Sequence, residues 1–123
     1  MTILWDMTSR RTLKSLPATP KITSPRKVRL LVDLVRGKPV TEALTMLKFT
    51  TNAAADPIAK VVNSAMANGE ENFGVSRDDL YVFRIFADEA PTRKWRRFGA
   101  RGRFKPWLRR SSHVTVILRE RGS

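Results

Sequence analysis

Nine of the eighteen residues from 93 to 110 are lysine or arginine, none is acidic, and four are aromatic. A guanidinium or ammonium group pairs with phosphate, and an aromatic ring offers a face on which a nucleobase can stack. Interleaved at this density, the two residue types suit nucleic acid with exposed bases. The phosphate-binding candidates are Arg93, Lys94, Arg96, Arg97, Arg101, Arg103, Lys105, Arg109 and Arg110. Trp95, Phe98, Phe104 and Trp107 are the stacking candidates. A second basic group, Arg26, Lys27, Arg29, Arg36 and Lys38, lies nearer the N-terminus.

Other chemistry is poorly supplied. The chain has no cysteine and a single histidine, His113. That excludes zinc ribbons, thiol nucleophiles and multi-histidine metal sites. Asp88 and Glu89 are adjacent, so on a strand they point to opposite faces and cannot easily share a substrate. They are expected to pair with local arginines, and His113 is expected to be a structural hydrogen bonder. The glycine-containing stretch GARGR (99–103) lacks the G-x-x-x-x-G-K-[ST] spacing of a phosphate-cradling loop. No catalytic residue, metal or cofactor is expected.

The composition agrees with a polyanion partner. In 123 residues there are 24 Lys plus Arg against 11 Asp plus Glu, a net charge of +13, with a pI near 11.4. The length is that of one domain, and a pI this far above 9 is the electrostatic footprint of nucleic-acid binding, although a membrane-surface protein can carry the same charge and charge alone does not decide between them. The charge is unevenly spread. Residues 1–38 carry nine basic and two acidic residues, residues 39–87 four and six, and residues 88–123 eleven and three. An ordinary soluble middle is therefore flanked by two basic segments. No run approaches the roughly 18 apolar residues of a membrane span.

The elements that must position these residues follow from periodicity. Residues 1–16 lack a clear period and read as a basic N-terminal arm, with a faint resemblance to an organellar transit peptide. PATPKIT (17–23) reads as extended, since Pro17 and Pro20 disfavour helix. The single globular domain spans 17–123. Its first helix is predicted over 25–36, with Ser24 as cap, Pro25 at the first position and Gly37 past the last turn. Val28, Leu31, Val32 and Val35 form its apolar face, with Leu30 and Leu34 alongside. Arg26 and Lys27 sit in the first turn, where cations oppose the helix dipole, and an external anion would offset that cost. A second helix is predicted over 41–49. A third, alanine-rich one is predicted over 53–72, capped by Asn52 and left at Gly74.

LYVFRIFA (80–87) and HVTVILRE (113–120) read as strands. Between them the aromatics are symmetric about Arg101. A turn there sets Trp95 opposite Trp107, Phe98 opposite Phe104 and Arg97 opposite Lys105, a two-stranded ribbon spanning about 88–113. Each arm of about 12 residues would reach roughly 40 Å. The ribbon has no apolar layer of its own, so to be stable it needs something anionic around it; the competing reading is a basic loop that never orders.

Three stretches then carry a resemblance: SPRKVRLLVDLVRGKPVTEAL, ADPIAKVVNSAMANGEENFG and DEAPTRKWRRFGARGRFKPWLRRSSHVTVIL. Together they resemble large-subunit ribosomal protein family twenty-two over about residues 18–119. The resemblance implies an α+β fold, three helices packed on a small three-stranded antiparallel sheet, with a long protruding β-hairpin. It implies a structural, non-catalytic constituent of the large subunit that binds rRNA, assists assembly and lines the nascent polypeptide exit tunnel with its hairpin. The implied partners are large-subunit rRNA, neighbouring ribosomal proteins and the nascent chain, with no membrane and no homo-oligomer. The implied location is the cytoplasmic ribosome, the alternative being an organellar one. The chain departs from the family in Ala90 and Gly99 and in the bulk of Trp95, Phe98 and Trp107.

Two other readings compete. Helices 25–36 and 41–49 could form a helix-turn-helix of a DNA-binding regulator. Such a module concentrates charge on its recognition helix, whereas here the second helix carries Lys48 alone. A membrane-active amphipathic helix would carry its aromatics on the apolar face, whereas here they cluster with the ribbon arginines.

Overall fold

The computed structural model describes residues 2–5 and 11–14 as paired backbone and residues 24–121 in full. The predicted extended segment 17–23 lies outside the described residues.

Strands β1 (Thr2–Trp5) and β2 (Arg11–Lys14) are followed by helices α1 (Pro25–Val35), α2 (Val40–Phe49) and α3 (Ala55–Phe73). Strands β3 (Leu80–Phe98) and β4 (Phe104–Glu120) complete the chain. The three helices fall within two residues of their predicted bounds. The fold is α+β, but the sheet differs from the expected three strands. It has four, in the order β1-β2-β4-β3, all neighbours antiparallel. Two of them come from the segment expected to be an arm. Strand β2 pairs Leu13 with Leu118 of β4, a contact over a hundred residues apart in sequence that local pattern does not announce.

Helix α1 begins at Pro25 because its missing N–H is one the helix would leave unbonded anyway. Ser24 caps with its carbonyl rather than its hydroxyl, accepting from the amides of Lys27 (3.1 Å) and Val28 (3.2 Å). Gly37 (φ 78°) turns the chain sharply. Its amide then donates to the Val82 carbonyl, while the Val82 amide donates to Lys38, each at 2.9 Å. Asn52 was the expected cap of α3. The N-cap position is instead Ala54, whose amide donates to the Asn52 Oδ1 at 3.3 Å. Gly74 ends α3 in the left-handed conformation (φ 63°), as a glycine does with no Cβ penalty.

The core lies between the helices and the sheet. Val28, Leu31, Val32 and Val35 of α1, Leu47 of α2, and Ile58 and Val62 of α3 meet Val82, Ile85, Val116 and Leu118. Burying one such side chain contributes about 1.5–3 kcal/mol. Leu30 and Leu34 do not join this face. Leu30 is 69% and Leu34 40% exposed, because they fall on the outer side of α1. The small Ala54, Ala55 and Ala65 are buried and let α3 approach closely.

Strands β3 and β4 continue well beyond this core as one ladder. Two irregularities interrupt it, between Val82 and Arg84 and between Ala90 and Arg93. The second marks a boundary: Ala90 is the last buried residue of β3, and its partner Ser111 is the first of β4. The protruding part thus begins at residue 91 rather than 88. Eight β3 residues extend past it, about 26 Å at about 3.3 Å per residue, shorter than the expected 40 Å.

Candidate nucleic-acid interface

The ribbon closes through Gly99–Arg103. The Gly99 amide donates to the Arg103 carbonyl at 2.6 Å. A Cβ built on Gly99 would lie 2.9 Å from that same carbonyl oxygen, so the turn admits only glycine there without rearrangement. Gly102 (φ 70°) and Arg101 (φ 59°) both adopt the left-handed conformation. For a non-glycine residue that costs roughly 1–2 kcal/mol. The tip therefore carries a charged side chain where a glycine would be less strained.

The predicted register is the observed one. Trp95 faces Trp107, Arg97 faces Lys105 and Phe98 faces Phe104. Alternation along the strands then divides the side chains between two faces. Arg93, Trp95 and Arg97 share one face with Arg109, Trp107 and Lys105. There the Arg109 guanidinium lies 5.5 Å from the Trp95 ring centroid and 5.1 Å from that of Trp107, within cation–π range of both. The opposite face carries Lys94, Arg96 and Phe98 beside Leu108, Pro106 and Phe104. The Phe98 and Phe104 rings approach to 5.3 Å at a 35° tilt, clasping the strands near the turn. None of residues 93–110 is buried. Arg101, Arg103 and Arg110 are likewise exposed.

The second basic group is divided in its task. Arg26 and Lys27 are exposed on the first turn of α1, which has no acidic residue. Arg29 and Arg36 are exposed as well, but reach across to the sheet's edge. Arg29 donates from Nε and Nη2 to the Ala87 carbonyl, both at 3.3 Å. Arg36 donates from Nη2 to the Ile85 carbonyl at 2.9 Å and pairs through Nη1 with Asp33 at 2.8 Å. These carbonyls belong to β3, the sheet's outermost strand. Two arginines, seven residues or about two turns apart, thus satisfy an edge that would otherwise offer unpaired acceptors. Sequence reasoning missed this because the acceptors are backbone atoms some fifty residues away. Lys38 pairs with Glu42 at 3.6 Å. Four cations of the ribbon's Trp face and two of its opposite face, by contrast, have no carboxylate partner among the described residues.

Asp88 and Glu89 form no ion pair among the described residues, contrary to expectation. Arg84 lies over the Phe83 ring instead, and Arg93 lies beyond the second irregularity, on the protruding ladder. Asp88 stands opposite His113 in the register. The Nδ1 of His113 is buried without a hydrogen-bond partner among the described residues, so the expected bond from that nitrogen is not made. Away from the ribbon, Arg77 bonds Glu70 at 2.8 Å. That bond, with the carboxylate's charge, holds the guanidinium above its usual pKa and ties the turn after α3 back to the helix. No group of three or more potential metal ligands occurs among the described residues. None of their helices is long and apolar enough to cross a membrane.

The sequence matches the family described as ribosomal protein L22p/L17e over residues 20–119. The chain belongs to the ribosomal protein L22 family. It is similar to the large ribosomal subunit protein uL22 of Thermoanaerobacter sp. (strain X514), with 50% identity over 98 residues, covering 80% of this chain and 88% of that one. The uL22 protein of Thermoanaerobacter pseudethanolicus matches to the same extent. Members of the L22 family are structural, non-enzymatic components of the large ribosomal subunit. The matched span contains all three helices and the whole ribbon, and begins after β1 and β2. Membership also sets aside the helix-turn-helix reading, since α1 and α2 here serve as one wall of the core.

Proposed function

We propose that this L22-family chain binds large-subunit rRNA, that its ribbon lies along the wall of the polypeptide exit tunnel, and that it assists subunit assembly. The observation that carries the reading is the ribbon itself: nine cations and no acid over residues 93–110, with none of them buried. Charge at this density on an uncovered ladder repels itself and is relieved by phosphates. Arg93, Lys94, Arg96, Arg97, Arg101, Arg103, Lys105, Arg109 and Arg110 are the phosphate ligands in this reading, with Arg26, Lys27 and Lys38 on the domain. Arg29 and Arg36 act chiefly on the protein's own edge strand. Trp95, Phe98, Phe104 and Trp107 meet bases or the tunnel lumen, where the nascent polypeptide passes. Neighbouring ribosomal proteins flank the domain, the chain enters the particle as a single copy, and the particle is the cytoplasmic ribosome.

The test is sedimentation. The chain should travel with large ribosomal subunits and leave them only at high salt. Finding it free at physiological salt, or on promoter DNA, overturns the reading.

A further inference from the structure

The ribbon's two faces are not equivalent. The Trp face is spanned by Arg109, which covers both indole rings. The opposite face is concave, and a groove of about 440 Å³ opens there. Its apolar lining is Phe104, Pro106 and Leu108. Lys94 and Arg96 stand directly across from Leu108 and Pro106 in the register and supply a cationic wall. Trp95 and Lys105, one position off on each strand, complete the lining. The volume lies in the ~300–1,000 Å³ range of sites for ligand-sized molecules.

We infer that this groove receives a single unstacked nucleotide of the bound RNA, its base against Phe104, Pro106 and Leu108 and its phosphates against Lys94, Arg96 and Lys105. The inference rests on the rRNA-binding reading above and adds to it a specific place for a base. Charge complementarity decides the occupant. Three cations beside these apolar residues, with no carboxylate in the lining, match a ligand that is flat and apolar at one end and anionic at the other. An apolar peptide would leave the cations unused, and a base-paired helix could present only phosphates. Phe98 belongs to the same strand face but does not line the groove; it backs Phe104 from across the ladder. Pro106 and Leu108 were not among the residues singled out by type. Their role follows from register, which places them on the same face as two cations.

The test uses the full-length chain titrated with a short oligouridylate and with an abasic oligoribonucleotide of equal length and charge. A stacked base contributes enough that the base-bearing oligomer should bind about 5- to 150-fold tighter. Phe104→Ala and Leu108→Ala should each reduce that preference and leave the salt dependence unchanged. Phe49→Ala, exposed at the end of α2 and outside the groove's lining, should keep it, which separates loss of the groove from a general loss of exposed aromatic surface. Equal affinity for both oligomers overturns the inference while leaving phosphate binding intact. Loss of the preference in Phe49→Ala as fully as in Phe104→Ala also overturns it, since the groove would then not be what is responsible. So does displacement of the oligomer from the groove by an uncharged apolar peptide. Failure of both oligomers to bind at low salt counts against the rRNA-binding reading itself.

Discussion

Strands β3 and β4 pass through two regions that share one hydrogen-bond ladder and almost nothing else. From Leu80 to Ala90, and back from Ser111 to Leu118, side chains alternate between the sheet's two sides and seven of them enter the apolar core. From Arg93 to Arg109 no side chain is buried. Backbone pairing is therefore not what separates a folded domain from a projecting arm. The difference is cover. Helices α1 and α3 lie over the first region, and none of the described residues covers either face of the second. Cross-strand clasps, Phe98 with Phe104 and Arg109 over two indoles, hold the ribbon's register without making it a core. The irregularity between Ala90 and Arg93 falls where one regime gives way to the other, as such breaks do when a strand must change direction or partner.

Truncation should expose the contrast most strongly. Leu47 is fully buried in the core, and Leu47→Ala should destabilise the chain by about 2–5 kcal/mol in urea unfolding. Phe98 is 80% exposed, and Phe98→Ala should cost about 1 kcal/mol or less, the scale of a cross-strand aromatic pair. Comparable losses at the two positions would break the distinction.

Charge removal should reverse the ranking. With about six to ten phosphate contacts, the log–log salt slope for RNA binding is expected near −4 to −9. Replacing Arg93, Lys94, Arg96 and Arg97 by glutamine should make it shallower by about 3 and leave stability nearly unchanged. A parent slope shallower than about −2 would show that these charges do not bind the RNA.

Within the domain the same comparison sharpens to one helix. Arg29→Gln removes the donors to Ala87 on the edge strand, and should cost about 0.5–1.5 kcal/mol of stability with little change in salt slope. The double change Arg26→Gln with Lys27→Gln should lower the slope's magnitude by about 1.5. It should raise stability by a few tenths of a kcal/mol, because cations in a first turn oppose the dipole. Matching effects from the two sets would contradict the division of α1 into an inner and an outer basic side.

Much of this was legible in the residues. Helix α1 announced itself through Pro25, Gly37 and the spacing of Val28, Leu31, Val32 and Val35. The ribbon register was legible because its aromatics are symmetric about Arg101, and glycines on either side permit the turn. What escaped detection depends on distant partners. Strands β1 and β2 are four residues each and lack a period; β2 becomes a strand by pairing with Ile117, Leu118 and Arg119. Arg29 and Arg36 looked like surface cations because side-chain type does not reveal a backbone acceptor across the fold. The groove escaped because Pro106 and Leu108 gain meaning only beside Lys94 and Arg96. The exposure of Leu30 and Leu34 escaped because their spacing from the buried valines is nearly that of the core face itself.

The central claim is that cover by the helices makes the domain, and that the ribbon is an appendage held for a polyanion. The most direct measurement is a thermal melt, by circular dichroism, of a chain in which Lys94 to Lys105 is deleted and closed by a short turn, run beside a subunit-incorporation assay. The shortened chain should melt cooperatively, close to the full chain, and still enter the large subunit through the domain. Failure to show a cooperative transition would place the ribbon within the folding unit and contradict the claim.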